Sequence, residues 1–577
     1  MEKEWRLKAT VNQDTLSQLM EQLKVDGKQL DEKIAILLLH CGIDSFDKAK
    51  QFFRHELSQL HDPFLMKGMK VAVERIHRAI DNHEGILVYG DYDVDGTTAV
   101  ALTYSFLSQF HDKLDYYIPN RNDEGYGISF KGVDYAASKG HTLIIALDCG
   151  IKSNDKVIYA KEKGIDFIIC DHHLPGEEIP NAVAVLDPKQ MDCNYPFKEL
   201  SGCGLGYKLA QAYLASKEYS VEQIAEAMNP HLDLVAVSIA SDLVPLVSEN
   251  RVLAHYGLQI FNQKIRPGIK AILDLAQIDK NLGFIDLGYS IGPKINAAGR
   301  LENGQQAVAL LLAKTYEEAV TLATKINVTN DHRKDLDSKI TEEALGVLLD
   351  DPKLNDKKST VLYNENWHKG VVGIVASRVI EKHYRPTVIL TASNGLATGS
   401  ARSVKNFNVY EAIASCADLL QQFGGHQFAA GLSLKIENIA AFQERFEEVV
   451  SRTIGQDALV PEIEYDCELN LKEIQPKFLR ILKQFAPFGM GNPAPLFVAH
   501  DITDIGKVYI MGKNHLRMEV IQDQDTFLSF PAVGFGLKEY FEPLYAGKPF
   551  SMVYSIEENE WKGKVTVQLN IKDIRLK

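Results

Sequence analysis

The 577-residue sequence lacks any apolar run of about 18 residues or more, which argues against a membrane-spanning helix. Its opening residues, Met-Glu-Lys-Glu-Trp-Arg, lack the apolar core of a secretory signal. The seven cysteines are scattered and contain no Cys-x-x-Cys pair, so no disulfide framework is expected. Together these absences predict a cytoplasmic protein that makes no use of a membrane.

The sequence also lacks an excess of basic residues. The chain has 63 Lys and Arg against 77 Asp and Glu, which gives a formal net charge of −14. Because nonspecific nucleic-acid binding comes from basic surface, this balance argues mildly against a nucleic-acid partner. It does not exclude one, since a nuclease can concentrate its Lys and Arg in one groove while metal-binding acids dominate the total.

Acidic residues cluster where a predicted strand ends. The apolar run 86–89 has the pattern of a buried parallel strand, and Gly90-Asp91-Tyr92-Asp93-Val94-Asp95-Gly96 follows it. In open α/β sheets, ligands bind in the crevice at the carboxyl ends of the strands. Carboxylates so close together repel one another unless a cation or a water-exposed turn relieves them. Taken alone, the stretch is therefore either a ligand site or an acidic surface turn.

Other apolar runs between residues 81 and 245 end in similar side chains. The runs 143–147 and 167–170 end in Asp148 and in Asp171-His172-His173, and the run 233–240, helix or strand, ends in Asp242. We expect all of them at one edge of a parallel sheet covered on both faces. A mixed carboxylate and imidazole set suits two divalent ions, Mg²⁺ or, with the imidazole, Mn²⁺. The alternative, that each Asp only caps the following helix, explains one such residue better than five.

Four ordered segments resemble the motifs of the DHH phosphoesterase superfamily. They are Gly90 to Gly96, Leu147-Asp148-Cys149-Gly150, Asp171-His172-His173 and Ser241-Asp242-Leu243-Val244-Pro245-Leu246. With Ile118-Pro119-Asn120-Arg121 and Gly125-Tyr126-Gly127, the chain is most similar to the RecJ exonucleases within that superfamily.

The resemblance implies roles for the acidic and histidine residues. The implied metal ligands are Asp93, Asp95, Asp148, His172 and Asp242, with Asp148 bridging two ions. Many superfamily members have a His where this chain has Tyr89, so either Asp91 or water supplies the remaining ligand. His173 would face the scissile phosphate, either as a metal ligand or as a group that stabilises charge.

Candidate substrate residues lie in segments that also resemble RecJ. In the segment Gly292 to Arg300, Arg300 is a candidate for binding a phosphate. The alternative is that it forms a salt bridge at the end of a helix. Gly399-Ser400-Ala401-Arg402-Ser403 is predicted to be a small-residue turn in which Ser400 and Arg402 hold a phosphate. Gly424-Gly425-His426 resembles a motif of the DHH-associated domain, which makes His426 another candidate substrate-binding residue. Arg121 and Tyr126 are expected to guide the strand, Tyr126 by stacking on a base.

The pattern predicts an α/β protein with five parts. Apolar residues at helical spacing over 319–349 indicate a long linking helix, and short strands after residue 456 indicate a small barrel. With the domains named as the resemblance implies, the parts are a helical N-terminal extension (1–80), a parallel-sheet DHH catalytic domain (81–250), a helical connector ending in the long helix (251–350), a smaller α/β DHH-associated domain (351–455) and an OB-type β-barrel (456–577).

The resemblance implies a single-stranded-DNA-specific exonuclease. It would degrade DNA from 5′ to 3′ with two Mn²⁺ or Mg²⁺ ions, release 5′-mononucleotides, act in DNA repair and recombination, and work as a monomer. Recruitment by a single-strand-binding protein or a helicase stays open. One alternative is a DHH phosphoesterase for small substrates such as oligonucleotides, cyclic dinucleotides or pyrophosphate. Another is a non-catalytic DNA-binding scaffold, which would usually lack metal residues, whereas none of the core five is missing here.

Overall fold

The N-terminal region contains a strand as well as helices. In a computed structural model, which describes residues 3–24, 29–121, 123–301, 303–523, 528–561 and 564–577, this region forms β1 (Glu4–Leu7), α1 (Gln13–Gln22), α2 (Glu32–His40), α3 (Phe46–Phe53) and α4 (Met69–Asp81). β1 pairs in parallel with residues 462–465 near the other end of the chain. The expectation of a purely helical region is wrong at β1, because so short a strand with a distant partner leaves no periodic signal.

A parallel sheet follows, as the alternating pattern predicts. Its elements, with the helices around them, are β2 (Gly85–Gly90), α5 (Val94–Leu107), β3 (Leu114–Tyr117), α6 (Phe130–Ser138), β4 (His141–Leu147), α7 (Asn154–Glu162), β5 (Asp166–Cys170) and β6 (Ala184–Leu186). The strand order is β3-β2-β4-β5-β6, and all neighbours are parallel. Leu87 and Tyr89 pack with α6 and α7, whereas Ile86 and Val88 pack in a second core with α4 and α5. The sheet is thus covered on both faces, and its strand ends share one edge.

Helices make up the next part of the chain. They are α8 (Gly202–Ser216), α9 (Val221–Met228), α10 (Leu232–Asp242), α11 (Ser248–Gln263), α12 (Pro267–Leu275), α13 (Phe284–Asp286), α14 (Gly292–Leu301), α15 (Gln305–Leu312), α16 (Tyr316–Asp350) and α17 (Pro352–Asn355). The run 233–240, left open above, is helical, so Asp242 ends a helix rather than a strand; Leu243 then turns the chain with φ of 59°. The predicted linking helix is confirmed as α16, with 35 residues.

A second, smaller sheet follows α16. Its part of the chain comprises β7 (Thr360–Tyr363), α18 (Val372–Lys382), β8 (Thr387–Ser393), β9 (Leu396–Arg402), α19 (Val409–Ala414), β10 (Leu420–His426), β11 (Ala429–Lys435) and α20 (Ile439–Thr453), with strand order β10-β11-β9-β8-β7. The turn predicted over 399–403 is wrong, because Gly399 to Arg402 lie in β9. The small residues there allow close strand packing: a Cβ on Gly399 would lie 2.1 Å from the Ile389 carbonyl oxygen. Gly424 to His426 likewise lie in β10, where His426 ends the strand before the hairpin turn.

The C-terminal part is a closed barrel that shares its core with the N-terminal helices. It contains β12 (Glu462–Tyr465), β13 (Cys467–Glu468), α21 (Pro476–Lys483), β14 (Phe497–Asp504), β15 (Tyr509–Met511), β16 (His515–Gln522), β17 (Phe530–Gly534), α22 (Phe541–Tyr545), β18 (Phe550–Trp561) and β19 (Lys564–Leu576). The order β14-β18-β19-β17-β16 closes through pairing of β16 with β14. Leu19 of α1, Leu37 of α2 and Phe52 of α3 belong to the same apolar cluster as Phe497 and Phe550. In the described residues, no helix combines the length and apolar character needed to span a bilayer.

Candidate metal centre and phosphate cavity

The acidic loop after β2 is held by its own backbone and by a distant helix. Asp93 caps α5, since its Oδ1 accepts the Gly96 N–H at 3.0 Å. The Val94 N–H donates to Asn296 Oδ1 of α14 at 3.2 Å. Gly96 is required by this tight turn, because a Cβ there would lie 2.4 Å from the Asp91 carbonyl oxygen. The loop is therefore fixed from two sides before any ligand binds.

The carboxylate of Asp95 lies at the N-terminus of α8. Its Oδ2 accepts the Gly202 N–H at 2.6 Å and its Oδ1 accepts the Cys203 N–H at 2.8 Å, while Ser238 Oγ donates to Oδ1 at 2.7 Å. The positive end of the helix dipole stabilises this negative charge. The glycine-rich segment 201–206 thus binds a side-chain carboxylate of the same chain, and a Cβ on Gly202 would lie 2.5 Å from Asp148 Cβ.

Three carboxylates converge on one imidazole nitrogen. The Nε2 atom of His172 lies 3.1 Å from Asp148 Oδ1, 3.6 Å from Asp95 Oδ2 and 3.6 Å from Asp242 Oδ2. These side chains come from the ends of β5 and β4, the first turn of α5 and the last turn of α10. Asp148 reaches the group through a left-handed backbone with φ of 59°. The predicted meeting of distant motifs is present, although one member arrives on a helix.

The carboxylates disfavour one another's charge. Burial first, then the charges of Asp95 and Asp93, raise the pKa of Asp148 well above its usual range. Burial and the same neighbours also raise the pKa of Asp242. Burial and Asp93 raise the pKa of Asp91, whose Oδ1 accepts the Gly127 N–H at 3.3 Å and whose Oδ2 has no protein partner among the described residues. This mutual repulsion is what a divalent cation would relieve.

The donor set fits hard divalent cations. Two groups of three side chains each offer ligand atoms within 4.8 Å of one another. One group is Asp95, His172 and Asp242, and the other is Asp148, His172 and His173. Burial lowers the pKa of His172, which keeps its ring neutral and able to ligate. Carboxylates with a single neutral imidazole suit Mn²⁺ and Mg²⁺ better than softer metals.

His173 is oriented by two hydrogen-bond partners. Its Nδ1 lies 2.7 Å from Asp171 Oδ1, and its Nε2 lies 3.3 Å from the Tyr126 hydroxyl, which itself donates to the Asp148 carbonyl oxygen at 3.2 Å. Burial opposes protonation of His173, but the Asp171 carboxylate outweighs it and raises the pKa of His173 to about 9. His173 is therefore a cation at neutral pH, beside the carboxylate group.

A second polar group lies where the two sheets' domains face each other. A cavity of about 330 Å³ is lined by residues of both, among them Arg121, Lys369, Val372 and Ser400. Arg402 Nη2 and Ser400 Oγ both lie over Gly373 in the first turn of α18, 3.0 and 3.3 Å from where its Cβ would be. A helix N-terminus, two hydroxyl or guanidinium donors and a flanking Lys together form an anion site.

The arginines of this region repel one another. Burial and then the charges of Arg121, Arg333 and Arg402 lower the pKa of Arg300 to about 10. Within the described part of the chain, no carboxylate forms an ion pair with Arg300, so the salt-bridge alternative gains no support there. Burial and Arg121 also lower the pKa of Arg402. Guanidinium groups held together in this way favour a bound anion.

The remaining candidates connect the two groups. Burial and the charges of Arg402 and His173 lower the pKa of His426, which places this ring within electrostatic reach of both. The Arg121 guanidinium lies 5.2 Å from the ring centre of Tyr92, and the Tyr92 ring meets Tyr126 edge-on at 6.2 Å. A row of Arg121, Tyr92, Tyr126 and His173 therefore runs from the anion site at the start of α18 to the carboxylates.

Two residues in this arrangement were not singled out from the sequence. Asp171 binds the His173 ring and, through Oδ1 and Oδ2, the backbone N–H groups of His172 and Ile151. Its place in the Asp-His-His signature was the available signal, but the ligand role of the histidines obscured it. Asn296 fixes the acidic loop from 202 residues away, and no local pattern could reveal that contact.

Comparisons with known proteins agree with this geometry. Residues 85–239 match the DHH family N-terminal domain, 356–452 the DHHA1 domain and 465–573 the RecJ OB domain. The single-stranded-DNA-specific exonuclease RecJ of Bacillus subtilis is 36% identical over 97% of this chain and 70% of its own length. The Escherichia coli protein of that name is 34% identical over 88% of this chain and 90% of its own.

A solved structure covers nearly the whole fold. The crystal structure of Thermus thermophilus RecJ in complex with Mn²⁺ superposes with a TM-score of 0.82 at 25% identity, covering 99% of this chain and 79% of that one. The ordered domains, the converging carboxylates and the identity over nearly full length lead to one assignment. This chain belongs to the RecJ family of single-stranded-DNA-specific exonucleases.

Proposed function

We propose that this protein is a metal-dependent exonuclease that hydrolyses single-stranded DNA from the 5′ end and releases 5′-mononucleotides, in DNA repair and recombination. The observation that carries the proposal is the convergence of Asp148, Asp95 and Asp242 oxygens within 3.1–3.6 Å of His172 Nε2. Such a group has no structural purpose of its own, because buried like charges destabilise the fold.

Asp93, Asp95, Asp148, His172 and Asp242 would hold two divalent ions, Mn²⁺ or Mg²⁺. The family resemblance would make Asp148 the ligand shared by both ions, and four other acids, including Asp91, lie close enough for their charges to act on its pKa. Asp91 is a direct ligand or acts through water. When bound, the ions supply Lewis acidity at the scissile phosphate and lower the pKa of an attacking water.

The chain's own residues position the substrate. His173, a cation at neutral pH, faces the scissile phosphate, and its positive charge stabilises the negative charge that develops there. Tyr126 holds that ring in place and offers its exposed face to a base. Arg121 and His426 would contact the DNA backbone between the carboxylates and the anion site at the start of α18.

The 5′-to-3′ direction of cleavage follows from the anion site at the start of α18. Arg300, Ser400 and Arg402 would bind the terminal 5′ phosphate at the N-terminus of α18. The fixed separation between this cavity and the carboxylates then sets the length of the product. Duplex DNA is excluded by the width of the cleft between the two domains, without reading of base edges.

The domain boundaries given above (1–80, 81–250, 251–350, 351–455 and 456–577) are part of this proposal, with one addition. The N-terminal helices α1 to α3 form a joint unit with the barrel, because they share its apolar core. The barrel would hold the single strand beyond the cleavage site. We also propose a monomer that works in the cytoplasm, with a single-strand-binding protein or a helicase as recruiting partners.

The experiment compares oligonucleotides with a free 5′ phosphate and with a blocked 5′ end, single-stranded and duplex, with Mn²⁺, with Mg²⁺ and with chelator. We expect mononucleotides from the single strand with the free end, in the presence of metal. Equal loss of nucleotides from both ends would contradict the 5′-to-3′ direction. Activity in the presence of chelator would contradict the metal-dependent mechanism. Rapid cleavage of dinucleotides without cleavage of long strands would favour the small-substrate phosphoesterase instead.

A further inference from the structure

A second group of metal-ligand side chains lies at the opposite edge of the first sheet. His83 lies between α4 and β2, and His111 and Asp112 lie between α5 and β3. Each offers one ligand atom, and these atoms all lie within 4.8 Å of one another. The six residues of β2 separate this group from the acidic loop by about 20 Å, at about 3.3 Å for each residue. It is therefore not an extension of the carboxylate centre.

The buried member of the group is already oriented for a cation. His111 is 6% exposed, and its Nε2 lies 2.7 Å from the Glu84 carbonyl oxygen. Because a carbonyl oxygen can only accept, Nε2 carries a hydrogen, and in the neutral ring Nδ1 is then the nitrogen with the free lone pair. Metal-binding histidines characteristically donate their other N–H to such a backbone carbonyl or to a carboxylate, which fixes the tautomer and the ring orientation.

The two exposed members have no competing partners in the described part of the chain. Neither the His83 ring nor the Asp112 carboxylate forms a hydrogen bond or an ion pair with another described residue. Both are exposed, so their rotamers can change at little expense. A separation of up to 4.8 Å can therefore close to the roughly 3.4 Å that neighbouring ligands have around a zinc ion.

The backbone around the group also favours a cation. α4 ends at Asp81 and α5 at Leu107, so the C-termini of two helices lie just before the three residues. The negative ends of the helix dipoles stabilise positive charge there. His83 itself has φ of 51°, a left-handed conformation unusual for a histidine, which its N–H stabilises by donating to the Ile80 carbonyl oxygen at 3.1 Å.

We propose that His83, His111 and Asp112 bind one divalent transition-metal ion, and that Zn²⁺ is the best match. Two imidazoles with one carboxylate favour zinc over Mn²⁺ or Mg²⁺, in contrast to the carboxylate-rich centre at the other edge. Water would complete the coordination. The ion would tie the α4–β2 connection to the α5–β3 connection and so brace the strand that carries the acidic loop.

The test measures Zn²⁺ binding to the purified full-length protein by equilibrium dialysis with elemental analysis, and the thermal midpoint in the same samples. The variants are His83→Ala and Asp112→Asn, both at exposed positions, with Asp81→Asn as an exposed acidic control at the end of α4. His111 is left intact because it is buried.

We expect His83→Ala to bind about one equivalent of Zn²⁺ less than wild type and to lose the zinc-dependent rise in thermal midpoint. Asp112→Asn should weaken zinc binding at least tenfold, while Asp81→Asn should behave as wild type. Manganese-dependent nuclease activity should remain within twofold in all three variants, which separates this site from the proposed centre. The same zinc stoichiometry and the same thermal response in wild type and His83→Ala would overturn the proposal.

Discussion

The Nδ1 atom of His173 lies 2.7 Å from Oδ1 of Asp171, and that same oxygen accepts the backbone N–H groups of His172 and His173. One buried carboxylate therefore fixes both histidines of the signature. Burial opposes ionisation of Asp171, yet the contacts with His173 lower the pKa of this carboxyl to about 2. Asp171 acts as a positioning residue through His173.

Asp171→Asn should reduce nuclease activity by about 10- to 100-fold, the range for partners that orient metal-site residues. The loss should be larger at pH 8 than at pH 6.5. In wild type the pKa of His173 is about 9, so the ring is protonated at both pH values. Without the carboxylate the pKa of His173 falls, so a smaller share of the rings is protonated at pH 8 than at pH 6.5. The measurement is the pH profile of initial rates, and a loss independent of pH would contradict the charged role of His173.

Arg402→Ala should weaken capture of a 5′-phosphorylated end about 10- to 100-fold, because one charged hydrogen bond contributes about 1.5–3 kcal/mol. The effect should appear in KM more than in kcat, since Arg402 lies over Gly373 at the start of α18 and not among the carboxylates. Initial rates over a range of oligonucleotide concentrations test this. The control is Arg445→Ala on α20, whose guanidinium pairs with Asp418 at the surface. An equal rise in KM for both substitutions would contradict the role of Arg402 in binding the 5′ phosphate.

Leu37→Ala should lower the free energy of unfolding by about 2–5 kcal/mol, the range for a buried leucine. Leu37 of α2 is 1% exposed and packs in the cluster that includes Phe497 of the barrel. Chemical denaturation followed by far-UV circular dichroism measures the change. Leu65→Ala, at a position 48% exposed, is the matched control and should stay within about 0.5 kcal/mol of wild type. Similar effects of both would mean that α2 does not stabilise the barrel.

Between about pH 6.5 and 4, His231 should lower the thermal midpoint as the pH falls, and His231→Gln should remove this contribution to the pH dependence. Burial and then the charge of Arg266 lower the pKa of His231 to about 4, so the folded protein holds this ring neutral. In that pH window the unfolded chain takes up a proton that the folded chain does not, which favours unfolding by up to about 1.4 kcal/mol per pH unit. Thermal scans at pH 7 and pH 5 compare the two proteins. An identical pH response would show that His231 titrates normally in the fold.

Local patterns predicted most of the catalytic domain. The buried runs before Asp91, Asp148 and Asp171 are parallel strands, and their shared edge brings the motifs together as the sequence indicates. The long helix α16 also follows from its periodicity. These features depend on residues close in the sequence.

Contacts between distant segments could not be read in the same way. β1 exists because residues 462–465 complete it, and Gly399 to Arg402 form a strand because both neighbours fit against small side chains. The shared core of the N-terminal helices and the barrel joins the two ends of the chain. Asn296 stabilises the acidic loop through one hydrogen bond across 202 residues, which no spacing rule reveals, whereas the role of Asp171 was obscured by the ligand role of the histidines beside it.

The most direct test of the central claim is anomalous diffraction from crystals soaked with Mn²⁺, for the wild type and for Asp148→Asn. The wild type should show two manganese peaks among Asp93, Asp95, Asp148, His172 and Asp242, and Asp148→Asn should lose one or both along with at least about 100-fold of the activity. Wild-type crystals with full activity in solution but no manganese among these side chains would contradict the account.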